Sequence, residues 1–90
     1  MNSKKTYLIT GAGTGFGKEI ALRLAEAEEE VIAGVEIMSE VSALILEAQE
    51  RKIDLRVEKL DITDPVDRER AGTWDVDVLL NNAGISLGGS

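Results

Sequence analysis

Ninety residues make one small domain, near the lower end of what buries a useful core unaided. Seventeen acidic against ten basic residues leave a formal charge of −7, which disfavours nucleic acid and anionic membrane surfaces as partners. No cysteine or histidine is present, which excludes disulfides, thiol chemistry, the usual zinc clusters and imidazole catalysis.

Only 3% of residues are aromatic, so the core must come from Ile, Leu, Val and Ala, as suits a buried sheet flanked by helices. "KTYLIT" (5–10) is a short apolar run of β-formers, ended by Gly11. From Gly15 the spacing predicts a helix to about Glu28, with Phe16, Ile20, Leu24 and Ala27 on its apolar face. "EVIAGVEI" (30–37) is the second strand, a nearly continuous apolar run of the kind buried on both faces. Ser39 is the expected cap of a second helix through about Arg51, with Val41, Leu44, Ile45 and Ala48 as its buried stripe. "DLRVEKLDI" (54–62) is the third strand. A short helix follows, with Asp64 as N-cap, Pro65 as first residue and Gly72 as stop. "VDVLL" (76–80) is the fourth strand, and "NNAGISLGGS" is the loop after it.

Strands alternating with helices imply a parallel α/β sheet with right-handed crossovers. The expected architecture is half of a doubly wound Rossmann-type fold: four parallel strands in order 3-2-1-4 with three helices, all in one unit over 1–90. Its winding reverses between strands one and four, which opens a crevice at the strands' carboxyl ends. No run approaches the roughly 20 apolar residues of a membrane span. The apolar stretch after "MNSKK" is too short for a signal peptide. A soluble, cytoplasmic protein is expected.

"TGAGTGFGKEI" (10–20) places Gly11, Gly13, Gly15 and Gly17 where the first strand turns into the first helix. Bare backbone there lets a pyrophosphate approach the exposed amides of a helix N-terminus. A glycine-rich turn that binds nothing is the alternative. Context favours the site: a strand before, a helix after, and Glu36 about 20 residues on, at the end of the second strand.

The spacing of Thr10, Gly11, Gly15 and Gly17 (T-G-x-x-x-G-x-G) resembles the short-chain dehydrogenase/reductase family. "LDITD" (60–64) resembles the family's segment after its third strand, where an Asp contacts the adenine ring; Asp61 matches. "NNAG" (81–84) matches the motif after its fourth strand, which steadies the sheet beside the cofactor's adenosine portion. The resemblance implies a dinucleotide cofactor held by Gly11, Gly13, Thr14, Gly15, Phe16, Gly17, Glu36, Asp61, Ile62, Asn82, Ala83 and Gly84. Asp61 is alternatively a strand-end residue bonding nearby backbone. Asn81 is expected to tie strand ends together through its amide.

Family chemistry uses a Tyr-x-x-x-Lys pair beyond the NNAG motif, whereas this chain's single tyrosine, Tyr7, has Gly11 four residues on. The expectation is therefore the N-terminal, NAD(P)-binding portion of an oxidoreductase, a cut or redesigned fragment without activity alone. Val35 and Thr14 occupy positions where NADP-preferring members carry a basic residue, and Glu36 would repel a 2′-phosphate, so the lean is towards NAD. The competing reading is a truncated or designed module that folds and self-associates without functional nucleotide binding. "AEAEEEV" and "QERKIDL" lack the glycine that commonly ends such helices. Finally, the sheet face opposite the first two helices is expected to be largely bare, because only a seven-residue helix serves it. A homo-oligomer through that face or the strand-four edge would cover it.

Overall fold

The computed structural model describes residues 4–82. In chain order these form β1 (Thr6–Thr10), α1 (Gly15–Glu26), β2 (Glu30–Val35), α2 (Met38–Glu50), β3 (Arg56–Lys59), α3 (Pro65–Ala71) and β4 (Val78–Asn81). All pairings are parallel and the sheet order is β3-β2-β1-β4, as the alternation of elements implied. Every loop that follows a strand therefore leaves the same edge of the sheet. The glycine segment, Glu36, Asp61 and Asn82 share that edge.

Strand alternation sorts the core into two layers. Ile9, Val31, Ala33 and Val35 face α1 and α2, and pack with Ala21, Leu22, Ala25, Val41 and Leu44. Leu8 and Ile32, adjacent in register, face the other way.

That second face is not bare in its centre, which corrects the expectation. Leu8, Ile32 and Leu60 are buried, with Ile62, Ala71, Trp74 and Val76 packed against them. The cover comes mainly from segments flanking α3 rather than from α3 itself. Trp74 lies over this layer, and the guanidinium groups of Arg56 and Arg70 sit 5.2 and 5.4 Å from its ring centroid. The β4 end of the apolar row stays wet: Leu79, in register with Leu8, is 58% exposed.

The helix faces also differ from the periodicity. In α1 the buried residues are Gly17, Ala21, Leu22 and Ala25, whereas Phe16 and Ile20 are exposed. Gly17 lies where helix and loop backbones approach closely, whereas Leu22 fills the core between α1 and the sheet. In α2, Val41, Leu44 and Ala48 are buried as expected, but Ile45 is exposed. The helix begins one residue before Ser39, at Met38, and Ile37 at its N-cap supplies no side-chain bond.

Both long helices end in Schellman motifs without glycine. After α1, Glu28 N–H donates to the Ala25 carbonyl and Glu29 N–H to that of Leu24, at 3.0 and 3.1 Å. After α2, Lys52 N–H donates to Gln49 and Ile53 N–H to Ala48, at 3.1 and 2.8 Å. The motif requires a left-handed residue, here Glu28 (φ 69°) and Lys52 (φ 57°). The third helix follows its sequence signal: Asp64 Oδ1 accepts from Val66 N–H at 2.9 Å, Pro65 is first and Gly72 is the C-cap.

Candidate functional site

The segment between β1 and α1 is shaped by two left-handed glycines, Gly11 (φ 65°) and Gly15 (φ 61°). Between them Ala12 is fully buried, and its N–H donates to the Gly34 carbonyl at 3.0 Å, which ties the loop to β2. Gly13 faces α2: a Cβ there would lie 3.1 Å from Val35 Cγ1 and meet the Glu40 carboxylate. Gly17 is packed so closely that a Cβ would meet the Gly11 carbonyl oxygen and lie 2.6 Å from Asn82 Nδ2. Gly15 is the opposite case. A Cβ on it would meet nothing within 4 Å among the described residues.

Open space in front of Gly15 coincides with an uncapped helix end. The first amides of an α-helix lack intrahelical acceptors. Thr14 occupies the N-cap of α1 but makes no side-chain cap bond, and the first turn holds no acidic residue. The amides of Gly15, Phe16 and Gly17 thus begin a 12-residue helix whose positive dipole end is met, among the described residues, by neither a side-chain cap nor a first-turn acid. This arrangement fits an anion such as a phosphate. Phe16, 71% exposed, stands beside it.

The remaining candidates lie along the same edge. Glu36 is exposed immediately after β2. Asp61 Oδ1 accepts from Thr63 N–H at 2.9 Å and Thr63 Oγ1 at 2.6 Å, whereas Oδ2 makes no hydrogen bond among the described residues. The Thr63 bonds hold the Asp61 carboxyl below the usual carboxylate range. Ile62 contributes to the second core layer. Asn81 accepts from Thr10 Oγ1 at 3.0 Å, joining the ends of β4 and β1 as its amide suggested. Asn82 Nδ2 donates to the Gly11 carbonyl at 3.1 Å, so its amide braces the glycine turn. Ala83 and Gly84 lie outside the described residues.

Asp67 is a functional candidate that sequence reasoning missed. It is 8% exposed, and its Oδ2 accepts from Asp61 N–H and Lys59 Nζ, both at 2.8 Å. Arg70 lies 3.6 Å from its other oxygen. The ammonium of Lys59, then the Asp61 amide, hold the Asp67 carboxyl below its ordinary range; the same pair raises Lys59. The available signal was the spacing D-x-x-D from Asp64, which resembles a capping box. The side chain instead reaches past the N-cap to Asp61.

A broad open depression lies at the opposite edge, lined by Lys4, Glu28, Glu30, Arg51, Ile53 and Asp75, and shares none of these groups. Among the described residues no cluster could hold a metal ion, and no helix is long and apolar enough to cross a membrane.

Comparison with known proteins agrees with this geometry. A family model described as short chain dehydrogenase matches residues 5–90. An uncharacterized oxidoreductase, DltE, of Bacillus subtilis is 35% identical, over 92% of this chain and 34% of its own length. An NADP-dependent 3-hydroxy acid dehydrogenase of Schizosaccharomyces pombe is also 35% identical, over 93% of this chain and 36% of its own. Among solved structures, a bulky-bulky ketone specific alcohol dehydrogenase from Comamonas testosteroni superposes with a TM-score of 0.78 at 26% identity. It covers 97% of this chain and 38% of that one. A variant of actinorhodin polyketide ketoreductase with NADPH gives 0.73 at 29% identity, over 97% of this chain and 36% of that one. The chain thus spans about a third of the length of the relatives it matches.

Proposed function

Because the chain belongs to the short chain dehydrogenase family, whose members are oxidoreductases with an NAD(P)-binding fold, we propose that these residues are the cofactor-binding part of such an enzyme. The observation that carries the proposal is the open space at Gly15 in front of the uncapped N-terminus of α1. The amides there would hold the pyrophosphate. Glu36 would accept from a ribose hydroxyl, and Asp61 and Ile62 would meet the adenine. Asn82, with Ala83 and Gly84, would border the adenosine side. Such a dinucleotide supplies hydride-transfer chemistry when bound.

The proposed cofactor is NAD. Two relatives are named for NADP or NADPH, but a 2′-phosphate needs a cation, and the segments 10–17 and 35–42 contain neither Lys nor Arg. The 90 residues also lack the Tyr-x-x-x-Lys pair. We therefore expect no dehydrogenase activity from this chain alone. Reduction of NAD by the purified chain with any secondary alcohol, above a blank, would refute that.

Calorimetric titration of the chain with NAD is the direct test. Gly15→Val should abolish binding, because the side chain would enter the space left for phosphate. Undiminished binding by that variant would sink the assignment.

A specific observation keeps a second reading in view. Leu79 stays wet on the strand that ends the sheet. It supports self-association through β4, with or without nucleotide.

A further inference from the structure

We propose that Asp67 is a positioning residue for adenine recognition, clamping Asp61 by its backbone so that the free carboxylate oxygen of Asp61 faces the ligand. The inference rests on the cofactor reading above.

Asp61 is held at two points. Its side chain is fixed through Oδ1 by both the amide and the hydroxyl of Thr63. Its main chain is fixed through its N–H, which Asp67 Oδ2 accepts at 2.8 Å. With Oδ1 doubly occupied, Oδ2 is the oxygen left to accept from a ligand. An ionised carboxylate is acceptor-only, so the complementary ligand group is a donor. The exocyclic amine of adenine is such a group.

Asp67 can hold this role because it is itself held. Lys59, on β3, donates to the same Oδ2, and Arg70, one turn along α3, approaches the other oxygen. A second Arg70 contact reaches the Lys59 carbonyl. The buried carboxylate thus joins the end of β3, the loop carrying Asp61, and α3. Neither Thr63 nor the N-cap Asp64 supplies an acceptor to the Asp61 N–H, so Asp67 alone fixes that peptide among the described residues. A part-buried amide robbed of its acceptor reorients or takes up water, and the carboxylate moves with it.

The test compares NAD with nicotinamide hypoxanthine dinucleotide, in which a carbonyl oxygen replaces the adenine amine, by calorimetry on the full chain and its variants. The wild-type chain should prefer NAD. Asp67→Ala should weaken NAD about tenfold and leave the hypoxanthine analogue nearly unchanged, so the preference collapses. Asp67→Asn retains an acceptor oxygen for the Asp61 amide and should restore the preference although it cannot pair with Lys59. Should Asp67→Ala not fold, the asparagine variant still decides: a preference lost in it would refute the clamp. Equal weakening of both dinucleotides by Asp67→Ala would reduce Asp67 to a structural residue and overturn the proposal. Tight binding of both by the wild-type chain, without preference, would overturn the adenine-amine contact while sparing the cofactor reading. No binding of either would overturn both.

Discussion

Asn82 and Gly11 stand 71 positions apart in the chain, yet the Asn82 amide donates to the Gly11 carbonyl at 3.1 Å. The same carbonyl meets the backbone of α1 at Gly17. One peptide group thus joins the end of β4, the turn after β1 and the first turn of α1. Asn82→Ala should remove this bond and destabilise the chain by about 1–2 kcal/mol, the cost of leaving a part-buried acceptor unmade. Urea unfolding followed by circular dichroism reads it, and a midpoint equal to wild type would show that Asn82 is not a brace.

Two glycines of the same loop should respond differently to alanine. At Gly17 the obstacle is backbone, which cannot swing aside, so Gly17→Ala should cost about 1–3 kcal/mol or more. At Gly15 there is room, and only the left-handed backbone is penalised, by roughly 1–2 kcal/mol. Thermal melts of both variants should therefore place Gly17→Ala lower. The reverse order would mean that α1 can shift away from the loop.

The helix ends offer the opposite experiment. Glu28 and Lys52 hold left-handed backbone that costs a non-glycine residue roughly 1–2 kcal/mol. Glycine loses about 0.4–1 kcal/mol of that advantage through its freer unfolded chain. Glu28→Gly and Lys52→Gly should each gain about 0.5–1 kcal/mol, and Glu28→Ala should gain nothing. The comparison is a set of urea midpoints; a destabilised Glu28→Gly would contradict the Schellman geometry.

Acid should probe the Asp67 cluster. Its folded pKa lies below the unfolded value, about 3.9 for aspartate. The unfolded chain therefore binds a proton first as pH falls, so the contribution is present above about pH 4 and is lost as pH drops through the folded pKa. Asp61 adds in the same direction. Urea unfolding at several pH values between about 2 and 6 should give a shallower acid slope for Asp67→Asn than for wild type. Parallel slopes would show that Asp67 titrates normally.

Leu79 should decide the assembly. Burying such a side chain is worth about 1.5–3 kcal/mol, and a pair of copies buries two. Sedimentation at micromolar concentration is expected to show a homodimer that Leu79→Lys converts to monomer. A well-folded wild-type monomer would show that one wet leucine at the β4 edge is tolerated.

What the sequence determined by itself is the order of elements and the class of site. Apolar runs and helical spacing restrict the backbone locally, and α3 adds its Asp64 cap, so the four strands, the three helices and the α3 boundaries were legible. Parallel pairing then forces Gly11–Gly17, Glu36, Asp61 and Asn82 to one edge, with no further information needed. What the tertiary structure alone decided are contacts between segments far apart in the chain. Phe16 and Ile20 match helical periodicity, yet Gly17, Ala21, Leu22 and Ala25 are the buried residues, and at Gly17 the loop backbone comes so close that no side chain fits. Trp74 covers Leu8 and Ile32 by folding back after α3, an approach that no short-range pattern encodes. Asp67 carries the sequence signature of a helix cap and instead serves Asp61, because the N-cap amide of Asp64 is already taken by the Asp61 carbonyl in the β3–α3 turn. Periodicity reports which side of an element is apolar; which neighbour arrives there, and at what distance, depends on how the elements pack.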